Sequence, residues 1–162
     1  MFNSCESMES PLFPLEEIQW MRMALREAET AYDEDEVPVG CVIVHESKVI
    51  GRAHNQTERL KDPTAHAEML AITQAASYLE RERLLGCTLY VTLEPCFMCA
   101  GACVLARLDK IFFAAKDPKF GACGSIWSLP QEGRLNHNCP CIGGILAEES
   151  AQLLKSFFRG RR

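Results

Sequence analysis

The sequence lacks any long hydrophobic run: no apolar stretch approaches the roughly 18 residues that a membrane-spanning helix needs. It also lacks a basic region ahead of an apolar one, because its first cationic residue is Arg22. We therefore expect neither a membrane segment nor a secretory signal, and we predict a cytoplasmic protein. Internal repeats and low-complexity segments are missing as well, so a repeat architecture is not expected.

Cysteine is present in number but without the pattern of a disulfide framework. Nine cysteines among 162 residues fall short of the ~8–10% typical of a small disulfide-stabilised protein, and an odd number leaves one unpaired. A chain of this length buries about 68–70% of its unfolded surface without cross-links. We expect free thiols and a reducing compartment.

Positive charge is scarce in the chain as a whole, whose formal net charge is −5. The acidic excess lies in residues 1–36, which hold ten Asp or Glu and two Arg, so residues 37–162 hold the other fifteen basic and twelve acidic side chains. This larger part is mildly basic. Four cations surround two aromatic residues in its last eight positions, which fits either a nucleic-acid contact or a solvated helix end.

Hydrophobic periodicity predicts an α/β protein. Apolar residues at three- and four-residue steps predict a helix over 15–32, and β-rich runs at 39–44 and 48–53 predict a hairpin. Further helices are predicted at 64–78, from Pro95 onward and at 147–158, with strands at 88–92, at 111–115 and near Cys141. Helices between the later strands imply parallel pairing, so we expect a mixed sheet covered by helices. Residues 1–14 are predicted to form a loosely ordered tail before one domain at 15–162.

Two short motifs carry the strongest chemical information. Glu68 follows two positions after His66, and Cys96 and Cys99 follow Pro95 at the start of a predicted helix. In the first turn of a helix both sulfurs share one face, and the positive end of the helix favours the thiolate. One imidazole and two thiols form a zinc site whose fourth position is open to a water molecule with a pKa near ~7.

Other interpretations of these cysteines exist. A Cys-x-x-Cys pair alone fits a thioredoxin-like redox motif equally well, but His66 and Glu68 favour zinc. Cys103 is a rival ligand, and four protein ligands would make a structural zinc module. Small apolar neighbours predict a core position for Cys103 instead. We hypothesise that Glu68 moves protons between the bound water, a nucleobase ring nitrogen and the departing ammonia.

These motifs resemble the cytidine-deaminase-like superfamily and, within it, the bacterial tRNA-specific adenosine deaminases. The resemblance runs from about residue 18 to residue 162 and includes residues 37–40, 62–68, 89–96, 98–102, 143–147 and 157–162. It implies a three-layer α/β/α fold with a mixed sheet of about five strands. It also implies one Zn²⁺ per subunit on His66, Cys96 and Cys99, with proton transfer by Glu68. The implied reaction is hydrolytic conversion of adenosine to inosine at the anticodon wobble position of tRNA, by a homodimer whose active sites lie near the subunit interface.

The resemblance to the tRNA enzymes in particular depends on segments outside the metal motifs, namely residues 116–122, 124–125, 136–137 and 157–162. It implies that Asn55 contacts the flipped purine and that Asp117 contacts the nearby ribose-phosphate backbone, although each residue also fits a simple turn. RNA contacts are expected from Lys116, Lys119, Lys155, Arg159, Arg161 and Arg162, and Phe157 and Phe158 either stack on bases or, for one of them, pack in the core. A deaminase of a free base or nucleotide, of the guanine or cytosine type, and a zinc-binding partner subunit without activity are the alternative functions.

Overall fold

The computed structural model describes residues 12–161, and its secondary structure follows the predicted order. The helices are α1 (Leu15–Asp33), α2 (Thr57–Leu60), α3 (Ala67–Leu79), α4 (Phe97–Leu105) and α5 (Ala147–Arg159). The strands are β1 (Gly40–His45), β2 (Lys48–His54), β3 (Cys87–Leu93), β4 (Lys110–Ala115) and β5 (Cys141–Gly143), with a 3-10 turn at Leu129–Gln131.

The five strands form one mixed sheet in the order β2-β1-β3-β4-β5. Strand β1 pairs antiparallel with β2 and with β3, whereas the β3–β4 and β4–β5 pairs are parallel. Helix α4 connects β3 to β4 and is the crossover that parallel pairing requires. The predicted mixed sheet of about five strands is confirmed.

Alternating side chains along the strands point into two separate cores. Cys41 and Ile43 of β1 belong to the core on the side of α3 and α4, which contribute small residues such as Ala71. Val42 and Val44 belong to the core on the side of α1. Helix α5 packs on β4 and also contacts α1, so the three-layer α/β/α arrangement is confirmed.

A close approach between α1 and β1 fixes the strand that leads to the functional residues. A Cβ atom on Gly40 would lie 2.0 Å from the backbone oxygen of Ala24 and 2.5 Å from the nitrogen of Ala28. Only glycine allows this distance between helix and strand. Just before β1, the carbonyl of Val39 accepts a 3.0 Å hydrogen bond from the backbone N–H of Asn55, which joins the hairpin ends.

Two helices begin later than their sequence patterns predict. Helix α3 begins at Ala67 rather than residue 64, and α4 begins at Phe97 rather than Pro95. The preceding residues, His66 and Cys96, are N-caps with extended backbones, at ψ values of 153° and 175°. The two metal-binding motifs therefore sit at helix starts.

The short helix α2 is a new element that periodicity does not predict, because four residues span only one turn. Its start is held by the carboxylate of Glu36, which is 1% exposed and accepts hydrogen bonds from the backbone N–H groups of Glu58 (3.2 Å) and Arg59 (2.7 Å). A buried acid from a distant segment thus shapes one wall near Asn55.

Residues 1–11 of the predicted N-terminal tail lie outside the described residues. In the rest of this segment, residues 12–14, Phe13 is partly buried and packs against the core on the α1 side. Apolar packing therefore begins before Leu15. Among residues 12–161, no helix combines the length and apolar composition that crossing a bilayer requires.

Candidate functional site

His66, Cys96 and Cys99 meet at one point above the carboxyl end of β3. Their ligand atoms all lie within 4.8 Å of one another. The Nδ1 atom of His66 is 3.7 Å from Sγ of Cys96 and 3.5 Å from Sγ of Cys99. Nitrogen and sulfur ligands of a tetrahedral zinc ion are separated by about 3.6 Å at ordinary bond lengths. This donor set therefore fits Zn²⁺, as the sequence predicts.

Helix starts create the electrostatics of this cluster. Cys96 caps α4 and Cys99 lies in its first turn, so both thiols face the positive end of the helix. Hydrogen bonding with Cys99, and then with His66, lowers the pKa of Cys96 to about 4. The same bond with Cys96, together with burial, raises the pKa of Cys99. Within this pair Cys96 favours the thiolate, the form that binds metal.

Cys103 is not part of the cluster. It is fully buried and belongs to the apolar core between the sheet and α4. Within the part of the chain that the structure describes, the metal-binding group comprises His66, Cys96 and Cys99. Three protein ligands leave the fourth tetrahedral position open, which is the arrangement of catalytic rather than structural zinc sites.

Glu68 lies in the first turn of α3, beside the cluster, and is only 4% exposed. Burial of the carboxyl group raises the pKa of Glu68 to about 7, although the nearby His66 opposes this shift. A carboxyl group with a pKa close to neutral pH can both accept and return a proton.

A cavity of about 390 Å³ opens beside the cluster and is lined by five of the predicted site residues. This volume lies in the range of small-molecule sites, roughly 300–1,000 Å³. The wall is mainly apolar and includes a few convergent polar groups. The lining residues are Val37, Val39, Asn55, Thr57, His66, Ala67, Glu68, Leu93, Glu94, Cys96, Asp117 and Phe120. The structure thus brings together His66, Glu68, Cys96, Asn55 and Asp117, which come from four separate segments.

Asn55 follows β2 and is 7% exposed. Its Nδ2 group donates a 3.4 Å hydrogen bond to the hydroxyl of Thr57. That bond uses one of the two amide protons, and the amide oxygen can still accept. The side chain is thus oriented at the cavity wall, where it can present a donor and an acceptor to one ligand edge.

Asp117 lies at the cavity edge and also makes a turn. Its Oδ1 atom accepts hydrogen bonds from the backbone N–H groups of Lys119 (2.9 Å) and Phe120 (3.2 Å). This is the Asx-turn role that the residue type also permits. Both interpretations of Asp117 therefore fit its position.

Glu94, which sequence reasoning missed, organises the loop that carries Asp117. It is 2% exposed and accepts hydrogen bonds from the backbone N–H groups of Asp117 (2.9 Å), Cys123 (3.1 Å) and Ser125 (2.9 Å), and from the Ser125 hydroxyl. Burial opposes ionisation of Glu94, but these hydrogen bonds outweigh it and lower its pKa. An acid directly after a buried strand and before Pro95 was the available sequence signal.

The side chains of the basic C-terminal end differ in burial and in their contacts. Phe157 is buried, at 6% exposed, and packs edge-to-face on Tyr32, so it is the ring of the pair that packs in the core, and its RNA contact stays a prediction. Phe158 is 51% exposed. Arg161 stacks over the Phe157 ring at 4.0 Å and donates to Asp35. The other cations predicted to contact RNA are exposed, both in the loop after β4 (Lys116 and Lys119) and on α5 (Lys155 and Arg159). Arg162 lies outside the described residues.

Comparison with known proteins supports the same chemistry. Residues 15–115 match the family model of the cytidine and deoxycytidylate deaminase zinc-binding region. The chain is 49% identical over 143 residues to a tRNA-specific adenosine deaminase of Aquifex aeolicus, covering 88% of this chain and 94% of that protein. It is 48% identical over 143 residues to a tRNA-specific adenosine deaminase of Bacillus subtilis, covering 88% of this chain and 89% of that protein.

Solved structures share the fold. A structure from studies of A-to-I editing by tRNA deaminases at the wobble position is 43% identical, with a TM-score of 0.81 over 84% of this chain and 99% of that one. A guanine deaminase from Nitrosomonas europaea is 19% identical, with a TM-score of 0.74 over 97% of this chain and 98% of that one. The second similarity supports the fold alone.

Proposed function

The chain belongs to the cytidine and deoxycytidylate deaminase zinc-binding family and, within it, to the tRNA-specific adenosine deaminases, and from this premise we propose that it converts adenosine to inosine at the anticodon wobble position of tRNA. The observation that carries the proposal is one cavity in which a three-ligand zinc site, a buried Glu68 and an oriented Asn55 converge. A zinc-binding subunit without activity would need the ligands but not the buried acid.

The proposed reaction replaces the exocyclic amine of adenine with oxygen. His66, Cys96 and Cys99 would hold Zn²⁺, which when bound would supply Lewis-acid chemistry that lowers the pKa of water to about 7. Glu68 accepts a proton from the attacking water and delivers it to the ring nitrogen N1. A second proton transfer through Glu68 reaches the amine as the C6–N bond breaks, and ammonia leaves. One water is consumed for each inosine formed.

Asn55 holds the purine in this proposal. Its amide presents a donor and an acceptor to the edge of the base, and its burial at 7% exposure excludes competing water. Asp117 would contact the ribose of the target nucleoside at the cavity edge while its Oδ1 atom keeps the loop turn. A target base must leave its stack to reach the zinc site, which is easiest in a single-stranded anticodon loop.

Exposed cations near the cavity and on α5 support recognition of the RNA backbone. Lys116 and Lys119 flank Asp117 in the loop, and Lys155 and Arg159 lie on the exposed side of α5. These side chains are able to approach phosphates, and so is the exposed Arg161, which also pairs with Asp35 and stacks on Phe157. A tRNA substrate also makes the cytoplasm the compartment that we propose.

A homodimer is the assembly that we propose, because the outer face of α4 is apolar and exposed. Phe97 (43% exposed), Gly101 and Leu105 (79% exposed) recur at four-residue steps on one side of the helix. Trp127 and Leu135 line a groove beside Phe97. A second copy covering this surface would lie next to the zinc site, since Cys96 and Cys99 belong to the start of the same helix.

Replacing Leu105 with Glu is expected to convert the dimer to a monomer, because a charge would be buried in the apolar interface. Sedimentation equilibrium measures the mass directly. The matched control is Leu15→Glu, at a residue that is 69% exposed on α1 beyond the other face of the sheet, and it should remain dimeric. A wild-type protein that sediments as a monomer contradicts the proposed assembly.

The proposed activity is tested by supplying the zinc-loaded protein with an unmodified anticodon stem-loop RNA and, separately, with guanine, cytosine and cytidine. We expect inosine from the RNA and no product from the three small molecules. Deamination of a small molecule alone would assign the chain to the free-base or nucleotide class. No product from any of them would favour a non-catalytic subunit.

A further inference from the structure

Phe120 is an exposed aromatic residue that lines the active-site cavity. It is 64% exposed and shares the cavity wall with Asn55, Glu68 and Asp117. Single exposed apolar residues are common on protein surfaces and need no special explanation. A large ring at the edge of a catalytic cavity is different, because any substrate that enters the cavity passes beside it.

The backbone around Phe120 is held in place although the ring is exposed. Its own N–H donates to Oδ1 of Asp117 (3.2 Å), and the N–H of Asp117 donates to the buried carboxylate of Glu94 (2.9 Å). On the other side, the N–H of Gly121 donates to the carbonyl of Asp117 (2.9 Å). The ring is therefore carried by a fixed turn.

The residue after Phe120 has no room for a side chain. A Cβ atom at Gly121 would lie 2.4 Å from the carbonyl oxygen of Asp117 and 2.4 Å from Oε2 of Glu94. Gly121 also forms an antiparallel bridge with Cys96, so its backbone lies beside the metal-binding motif. The turn admits a side chain at Phe120 and none at Gly121.

The charged residues beside Phe120 indicate which class of ligand contacts its ring. Lys116 and Lys119 are exposed and directly precede Asp117 and Phe120 in the sequence, and both of these residues line the cavity. Single-stranded nucleic acid is recognised by this combination, in which cations contact the phosphates and an aromatic ring stacks on a base. A free nucleobase in the cavity would not require it.

We propose that Phe120 is the platform on which a base flanking the target adenosine stacks. This proposal rests on the proposed tRNA function and adds a contact outside the zinc site. Stacking on an aromatic ring tolerates every base, because each base has a π-face. The platform would therefore strengthen binding of the anticodon loop without selecting the flanking sequence.

The test compares Phe120→Ala, Phe120→Leu and Phe120→Trp for affinity toward an anticodon stem-loop, by fluorescence anisotropy, and for inosine formation. Loss of one stacked base is expected to weaken binding on the order of 10- to 100-fold in the Ala and Leu variants, while Trp retains affinity. Tyr78→Ala is the control, since Tyr78 is 52% exposed and contacts Lys48 on another surface.

Leu separates stacking from simple apolar packing, because it keeps much of the bulk of Phe without a π-face. Wild-type affinity in the Ala or Leu variant overturns the proposal, as does a change of oligomeric state in either, which would assign Phe120 to a subunit contact. If the wild-type protein binds RNA through Phe120 but forms no inosine, the proposed activity fails and the platform stands. If inosine forms and neither affinity nor turnover depends on Phe120, the activity stands and the platform fails.

Discussion

Glu68→Ala is expected to keep its zinc and to lose turnover by at least ~10²–10⁴-fold, the contribution usual for general acid–base catalysis. Glu68 is 4% exposed in the first turn of α3, while the ligands are His66, Cys96 and Cys99. Removing the carboxylate leaves the ligand set intact and removes the only proton carrier that the proposed reaction uses. Zinc per subunit, measured by atomic emission, and the rate of inosine formation together check this outcome.

The control for Glu68 is Glu29→Ala, which removes an exposed carboxylate from α1, beyond the other face of the sheet. It should leave both zinc content and turnover unchanged. Turnover of Glu68→Ala within tenfold of the wild type would contradict the proton-transfer role. Loss of zinc from the same variant would instead assign Glu68 to metal binding.

Glu94→Ala is expected to lower both the free energy of unfolding and the activity. Its carboxylate accepts hydrogen bonds from three backbone N–H groups, those of Asp117, Cys123 and Ser125. The N–H of Cys123 is a buried donor, and leaving it without a partner costs about 1–3 kcal/mol. The N–H groups of Asp117 and Ser125 lie nearer to water, so we expect a total loss of roughly 1–3 kcal/mol. The loop that carries Asp117 and Phe120 would then lose its fixed position, and activity should fall beyond the loss of stability.

Denaturant unfolding measures the first effect as a lower midpoint at an unchanged slope. Glu94→Gln keeps one acceptor oxygen and should fall between the wild type and Glu94→Ala, which provides a measurable variant even if the Ala protein does not fold. Glu58→Ala is the control, because the side chain of Glu58 pairs with Lys61 at the surface and such pairs contribute about 0–1 kcal/mol. Equal stability of wild type and Glu94→Ala would refute the anchoring role.

The lowered pKa of Glu94 adds a pH dependence to this prediction. A folded pKa below the ordinary value of 4.5 means that the carboxylate stabilises the fold fully above pH ~4.5, and that this stabilisation is lost as the pH falls through the folded pKa. The Glu94→Ala variant should therefore lose less stability than the wild type on acidification through this window.

Local patterns in the sequence predict most of the architecture, because each pattern reflects how one helix or strand packs against the core. The β-rich runs at 39–44 and 88–92 form central strands whose alternate side chains enter the two cores on either side of the sheet. The metal ligands are predictable for a related reason, since a Cys-x-x-Cys spacing at a helix start brings both sulfurs to one side. His66 then needs only to lie near them, and its own helix start provides that position.

What the sequence pattern misses depends on contacts between distant segments. Helix α2 is too short for periodicity and depends on Glu36, which lies more than twenty residues earlier. Glu94 resembles any acid beside a proline until the structure shows its carboxylate among three backbone N–H groups. Phe157 and Phe158 are adjacent and chemically identical, and only the packing of α5 on Tyr32 decides which ring is buried.

The most direct test of the central claim uses two anticodon stem-loop RNAs that differ only in the position of one adenosine. In one RNA the adenosine occupies the wobble position, and in the other it is moved by one nucleotide. After incubation with the zinc-loaded protein, digestion to nucleosides and mass spectrometry measure inosine. The account predicts inosine from the first RNA and little from the second. Equal inosine from both RNAs, or none from the first, would contradict it.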